Sequence, residues 1–209
     1  MRVALILLAA VGVQDDGWES LSNREAWGTG KGEPPAAGWA FEDGGVIHRA
    51  AKAGDLHTRK KYRDFELEFE WKIAPGANSG VKYRLRGIGP EYQLIDDAKH
   101  ADSRNNPQRA TASLYDVKAP AADKPLKPAG EWNASRIVAK GSHLEHWLNG
   151  AKVLEIDIDG EEWNALYAKS KFVKTKGAEQ WFGREAGPIM LQDHGDEVWF
   201  RALRIRELK

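Results

Sequence analysis

The clearest pattern in the chain runs from Asp64 to Ile73. Phe65, Leu67, Phe69, Trp71 and Ile73 share one parity, and Glu66, Glu68, Glu70 and Lys72 share the other. A period of two held this long predicts a half-buried β-strand with one wet face. Pro75 to Gly80 reads as a turn, and Val81 to Arg86 as a second alternating strand. His143–Leu148 and Ala151–Ile158 flank Asn149-Gly150, a dipeptide that accepts positive φ at both positions and so predicts a type I′ hairpin. In the last predicted strand, Val198 to Leu208, Val198 and Phe200 share one parity while Leu203 and Ile205 share the other, which predicts a bulge near Ala202. Ile189 to Phe200 reads as a hairpin with strand-like ends and a polar middle, Gln192-Asp193-His194-Gly195-Asp196-Glu197.

One stretch has the helical period instead. Trp163, Leu166, Tyr167 and Ser170 fall at i, i+3, i+4 and i+7, behind Asp159-Gly160-Glu161-Glu162. That start fits a capping box, with Asp159 as N-cap and Glu162 reaching back. Between Asp96 and Glu131 lies a long segment rich in Ala, Pro, Asp and Lys, without a clear element. Such loops are uncommon in compact domains and are often functional, the plain alternative being a floppy insertion. Short strands, frequent turn signals and one covering helix predict an all-β fold, a jelly-roll β-sandwich.

Composition narrows the picture. The 209 residues are 42% hydrophobic and carry 31 basic and 31 acidic side chains. A chain of that balance can bury a core, and it lacks the bulk charge of a nucleic-acid or anionic-membrane binder. Residues 1–13 have one positive charge and an apolar run ending in small residues, too short for a bilayer span of roughly 20 residues. This is the shape of a signal peptide processed after Ala10, and it leaves residues 14–209 as one sandwich domain that is exported, periplasmic or extracellular. No cysteine is present, so a lipoprotein anchor, disulfides and thiolate metal sites are excluded. Nothing in the pattern speaks to oligomeric state.

The candidate chemistry follows the parity. Glu91 and Gln93 share a face opposite Tyr92 and Leu94, so an inward aromatic face places the carboxyl and amide on the open face of a sheet. On pattern alone the plainer reading is two solvated side chains. Gln192 and His194 form a second i, i+2 pair; Asp193, of opposite parity, is assigned to the turn. His146 is in phase with Leu144 and Leu148. Its plainer reading is a hydrogen-bonded core side chain, and it stays among the catalytic candidates. Asp96, Asp97, His100 and Asp102 cluster without the spacing of a specific metal motif. No phosphate loop, G-x-S-x-G elbow or H-E-x-x-H is present.

Several short motifs occur in a characteristic order: Asp64-Phe65-Glu66-Leu67, Asn78-Ser79-Gly80-Val81 with Tyr83-Arg84, Glu91-Tyr92-Gln93-Leu94-Ile95-Asp96, and Leu114-Tyr115-Asp116. They continue with Gly130-Glu131-Trp132-Asn133, Trp147-Leu148-Asn149-Gly150, and Leu191-Gln192-Asp193-His194-Gly195 with Phe200-Arg201. This ordered set, from about Trp18 to Leu208, resembles the 3-keto-disaccharide hydrolase domain family. The resemblance implies a concanavalin-like two-sheet jelly roll, an exported protein, and cleavage of glycosides already oxidised to a ketone at sugar C3. It implies proton transfer by Glu91 or His194. Gln93, Gln192 and Arg84 would hold hydroxyls or an enolate, and Asn78, Tyr115 and Trp147 would position the sugar. The resemblance implies no definite cofactor; a divalent cation at the enolate oxygen is left open with its ligands unassigned. The partner implied is a carbohydrate. The alternative on the same fold is a non-catalytic carbohydrate-binding module, with a surface interaction domain behind it.

Overall fold

The computed structural model describes residues 17–50, 52–176, 178 and 182–209. The expected signal peptide, residues 1–13, lies outside them. Thirteen strands are present among the described residues: β1 (Glu19–Ser20), β2 (Trp27–Gly28), β3 (Trp39–Glu42), β4 (Val46–Arg49), β5 (Leu56–Thr58), β6 (Phe65–Ile73), β7 (Asn78–Lys82), β8 (Glu91–Ile95), β9 (Asn133–Lys140), β10 (His143–Leu148), β11 (Ala151–Asp157), β12 (Met190–Leu191) and β13 (Val198–Glu207). They form two sheets of antiparallel pairs. One is ordered β11-β10-β9-β6-β13-β4-β3, with β1 added on β13; the other is β2-β5-β12-β7-β8. The result is a jelly-roll sandwich, as the alternating pattern predicts.

β6 is the spine of the larger sheet. Its five apolar side chains are buried and meet Leu94, Val81, Leu191 and Phe200 in the core, each such burial stabilising by roughly 1.5–3 kcal/mol. Its wet face is laced to β13 by Glu70–Arg201 (2.7 Å), Glu68–Arg204 (2.6 Å) and Glu66–Arg206. The predicted bulge in β13 is present: the register with β6 slips between Arg201 and Arg204, and Ala202 adopts φ 50°. The β10–β11 turn has φ 46° at Asn149 and 86° at Gly150, as type I′ geometry requires.

Four expectations are corrected. The Gln192–Glu197 stretch is no hairpin, because β12 belongs to the smaller sheet and β13 to the larger, so the chain crosses between sheets there. β7 starts at Asn78 and stops at Lys82, since Arg84 turns to φ 46° and leaves the ladder. Helix α2 (Glu161–Tyr167) is capped by Gly160 without a side-chain bond, because Glu162 pairs with Lys118 at 2.6 Å instead of reaching back. Asp159 therefore lies outside the helix, and Ser170 caps the next short turn, Lys171–Lys174. α2 packs on β11 through an aromatic cluster in which Trp163 stacks on Tyr167 at 5.0 Å and both meet Phe182.

The segment between β8 and β9 holds a one-turn helix, α1 (Ala101–Arg104), and a short 3-10 turn, Pro107–Arg109. It is tied down by its own polar groups. Thr111 exchanges hydrogen bonds with Ile95, and Arg109 spans Asp102 (2.7 Å) and Asp116 (2.6 Å). No helix among the described residues is long and apolar enough to cross a membrane.

Candidate active site

The outer face of the smaller sheet carries a row of residues directly opposite one another. Gly28 faces His57, His57 faces Met190, Met190 faces Lys82, and Lys82 faces Glu91. One rung along, Gly80 faces Gln93. With Val81, Tyr92 and Leu94 turned into the core, Asn78, Gly80 and Lys82 of β7 and Glu91 and Gln93 of β8 share the opposite face. Here they floor a cavity of about 430 Å³. Its walls come from elsewhere: His100, Asp102 and Tyr115 from the β8–β9 segment, Lys171 and Phe172 from the turn after α2, and Gln192 and His194 from the crossing between sheets.

Glu91 is the centre of this arrangement. Its side chain is 6% exposed, and Lys82 Nζ lies 3.5 Å from Oε2. Burial pushes its carboxyl up to about 7, with Lys82 and Lys171 pulling the other way. In the amide orientations that satisfy their neighbours, Gln93 donates to Glu91 Oε1 and Ser79 O, both at 2.9 Å, and Gln192 donates to Glu91 Oε1 at 3.3 Å. The Gln192 oxygen then accepts from Lys82 Nζ at 3.0 Å, and His194 Nε2 stands 3.0–3.1 Å from the same amide. Burial, then the Lys82 charge, hold His194 below its ordinary range, so it is neutral near pH 7. The close approach depends on Gly80: a Cβ there would lie 2.7 Å from Glu91 Oε1 and 3.1 Å from the Gln192 side-chain amide.

The crossing that bears Gln192 and His194 is rigidly held. Asp193 turns away from the cavity to meet Arg49, with Nε 2.6 Å from Oδ1 and both side chains 1% exposed. It also accepts from Ala53 N, Gly54 N and Gly195 N. The Asp196 carboxylate accepts from Asn78 N at 2.9 Å, tying the crossing to β7.

Asp102 supplies the second carboxylate of the cavity, but both its oxygens are committed, to Arg109 (2.7 Å) and Tyr115 OH (3.0 Å). Burial opposes its charge, and the Arg109 and Tyr115 hydrogen bonds outweigh burial, so Asp102 is held below its usual range.

Six of the nine candidates from the sequence thus line one cavity: Glu91, His194, Gln93, Gln192, Asn78 and Tyr115. Three do not. His146 is fully buried between the sheets, hydrogen-bonded to Tyr83 OH (2.9 Å) and Ala112 O (3.0 Å), and burial lowers it to about 4. It is a neutral core histidine. Arg84 is also fully buried and turned from the cavity; it donates to the carbonyls of Arg63, Gly141 and Gly183 and pairs with Asp64 at 3.0 Å. Its guanidinium clamps three chain segments and spends four of its five N–H groups on them. Trp147 lies on the outer face of the larger sheet, against the Arg136 guanidinium at 4.1 Å, with Nε1 donating to Glu145.

Lys82, Lys171 and Phe172 were missed. Lys82 shares the parity of Asn78 and Gly80, a signal present in the sequence. Lys171 and Phe172 reach the cavity only through the packing of α2. The Asp96–Asp102 cluster is resolved into separate duties. Asp96 accepts from Gly76 N, Ala98 N and Lys99 N, Asp97 pairs with Lys124, and His100 caps α1.

Beside Glu91 stands the Lys82 ammonium, 3.5 Å from Oε2. Among the described residues, His143, Glu145 and Glu155 are the group whose ligand atoms lie within 4.8 Å of one another. None of them lines the cavity, and Lys152 already spans the two carboxylates.

Comparison with known proteins adds a family context. The family described as "3-keto-alpha-glucoside-1,2-lyase-like domain" matches residues 15–206. A 3-keto-disaccharide hydrolase from Bacteroides thetaiotaomicron is 33% identical over 219 aligned positions, covering 87% of this chain and 73% of that protein. Two crystal structures from Parabacteroides distasonis ATCC 8503, of proteins named as glycosyl hydrolases, share the fold. One has TM-score 0.80 and 30% identity, covering 92% of this chain and 95% of that one; the other has TM-score 0.74 and 28% identity, covering 91% and 99%.

Proposed function

The chain belongs to the 3-keto-alpha-glucoside-1,2-lyase-like domain family, and from that premise we propose that it cleaves the glycosidic bond of 3-keto-glycosides by elimination, with Glu91 as the base. The observation that carries this reading is the Glu91 carboxyl. It is buried on the cavity floor, pushed up to about 7 and surrounded by Lys82, Gln93 and Gln192. A base that titrates near neutral pH is matched to proton abstraction under mild conditions.

The alternative chemistry, two carboxylic acids flanking the bond, has little support here. Asp102 is the other carboxylate in the cavity, and Arg109 and Tyr115 hold it ionised and occupied. A 3-keto sugar removes the need for it, because the ketone acidifies the C2 hydrogen. Glu91 takes that proton, and the electron pair forms the C2=C3 enolate, its oxygen negative. The ketone re-forms as the pair moves to C1=C2 and the glycosidic oxygen leaves C1. That oxygen takes up the proton that Glu91 removed from C2, because His194, held neutral, is too weak an acid to supply one. Lys82 stabilises the enolate, the interaction such sites depend on most, while the Gln93 and Gln192 amides hold the Glu91 carboxyl in place. Addition of water across C1=C2 would complete a net hydrolysis. Asn78 on the cavity floor and Tyr115 on its wall position the sugar.

Export to the periplasm or beyond belongs to the same proposal and rests on the residues 1–13 pattern. Incubation with a 3-keto-glucoside, with and without a chelator, tests the chemistry. A 2-hydroxy-3-keto-glucal product indicates elimination; a 3-keto sugar without it indicates rehydration. Binding of unoxidised glycans with no turnover of any 3-keto-glycoside would replace the enzyme with a carbohydrate-binding module.

A further inference from the structure

Trp147 lies on the outer face of the larger sheet, on the other side of the sandwich from Glu91. It is partly exposed there, beside a cleft of about 640 Å³, a size usual for a small-molecule site. The bulge in β13 opens this cleft. The Glu70–Arg201 and Glu68–Arg204 pairs would be adjacent outward rungs of a regular ladder, and the extra residue between Arg201 and Arg204 spreads them. Small residues line the gap: Ala202 at the bulge, Ala134 opposite Glu70, and Ser20, Ser22 and Gly150 at the rim.

The polar groups around the gap are planar and balanced. Glu68 and Glu70 are set against Arg136 and Arg204, two charges of each sign. Arg204 places both Nε and Nη2 on Glu68 Oε2, and Arg201 Nε donates to Glu70 Oε2. Oε1 of each carboxylate takes no hydrogen bond from the described residues. Trp147 has spent its one N–H on Glu145 Oε2 at 2.7 Å, so the indole brings a flat apolar surface to the cleft. The Arg136 guanidinium, 4.1 Å from the ring centroid, steadies it against the sheet.

An apolar partner would bury these charges without satisfying them. A charged ligand would find no excess of the opposite sign. A neutral polyol meets all the features. Its hydroxyls donate to the carboxylate oxygens and accept from guanidinium N–H groups, while the C–H face of a hexose ring lies on the indole.

We propose that this cleft is a second carbohydrate site, which binds a neutral gluco-oligosaccharide without cleaving it. Trp147 is its platform, and Glu68, Glu70 and Arg136 hold the hydroxyls. A gluco-configured ring suits it because equatorial hydroxyls leave the ring faces to C–H groups. The inference does not depend on the reaction at Glu91 and gives the protein a hold on a glycan apart from the cavity.

Calorimetry on the whole protein tests it, with cellohexaose and maltohexaose as probes, one chain flat and the other coiled. At least one should bind the unmodified protein. That affinity should fall about 5- to 30-fold in Trp147→Ala, the range for losing a central aromatic contact. Ala134→Gln, which fills the gap from a solvent-facing strand position, should weaken binding too and stands in if Trp147→Ala fails to fold. Gly80→Ala, which disturbs the cavity at Glu91, should bind the hexamer as the unmodified protein does. The proposal is overturned if neither hexamer binds, if binding is undiminished in either cleft variant, or if it is lost in Gly80→Ala, which would assign the sugar to the cavity. No turnover is read, so failure of the elimination chemistry leaves this result standing. Conversely, turnover of 3-keto-glucosides by a protein that binds neither hexamer overturns this inference alone.

Discussion

Lys82 stands directly opposite Glu91 across the β7–β8 pair, with its ammonium 3.5 Å from the carboxylate. The pair is uneven: Glu91 is 6% exposed and Lys82 24%. Burial therefore wins over the neighbouring charge, and Glu91 titrates at about 7. Lys82 keeps it from rising further.

This sets the pH dependence of activity. With Glu91 as base in its ionised form, kcat/KM should fall below about pH 7 as the carboxyl protonates. Lys82→Met should move that limb to higher pH, since the group that favours the charged form is lost. Glu91→Gln should cost about 10²–10⁴-fold in kcat with the fold intact. Measured pH–rate profiles of the three proteins check this; an unmoved limb in Lys82→Met would separate Lys82 from the titration.

Stability should respond to pH through two buried groups that oppose each other. Glu91 rises from 4.5 to about 7 on folding, so the folded state holds the extra proton and stability is lost as pH rises through that window. His146 falls from 6.5 to about 4, so the unfolded state holds the extra proton and stability is lost as pH falls through that window. Each effect is of order 3 kcal/mol and the two largely cancel in the parent protein. Glu91→Gln should unmask the His146 slope, with stability rising from pH 4 to 6.5. His146→Gln should unmask the Glu91 slope of opposite sign, on a lower baseline. Urea titrations across pH 4–8 read both.

Gly80→Ala is expected to damage the site more than the sheet. The new methyl would meet Glu91 Oε1 at 2.7 Å and the Gln192 side-chain amide at 3.1 Å, so both side chains must move. A displacement near 1 Å can cost about 10²-fold in rate. The expected result is a fall in kcat of that order with a modest change in melting temperature; unchanged kinetics would show that the amide and carboxyl need not meet.

Arg49→Met should unfold more readily and disturb the site together. Removing one partner of a pair buried to 1% at both ends leaves Asp193 uncompensated, at a cost of about 3–5 kcal/mol. The same carboxylate holds the Ala53, Gly54 and Gly195 amides. Asp193→Asn, which keeps part of that hydrogen bonding, should cost less. Denaturation curves with KM measured in parallel test the order.

The parity of side chains decided much of this protein in advance. The β6 alternation, the Asn149-Gly150 turn, the bulge at Ala202 and the open-face position of Glu91 and Gln93 all follow from local periodicity, because a strand sends neighbouring side chains to opposite faces whatever it packs against. Periodicity also put Gln192 and His194 on one side and Asp193 on the other. It could not say which strands are neighbours. The stretch around His194 looked like a hairpin because local pattern is the same whether a chain turns back or crosses to a second sheet. Only the pairing of β12 with β7 brings the Gln192 amide to Glu91 and Lys82. His146 and Trp147 are adjacent in sequence, yet one is sealed in the core and the other lies on the outer face of the larger sheet. Their alternation was readable, but which face meets the cavity depends on what the opposite sheet contributes. Arg84 became a clamp because its backbone leaves the ladder, and Lys171 reached the cavity on an aromatic cluster distant in sequence. Local periodicity in the sequence determined the strands and their faces. The tertiary structure decided which faces meet, since long-range packing alone sets the burial and charge around Glu91.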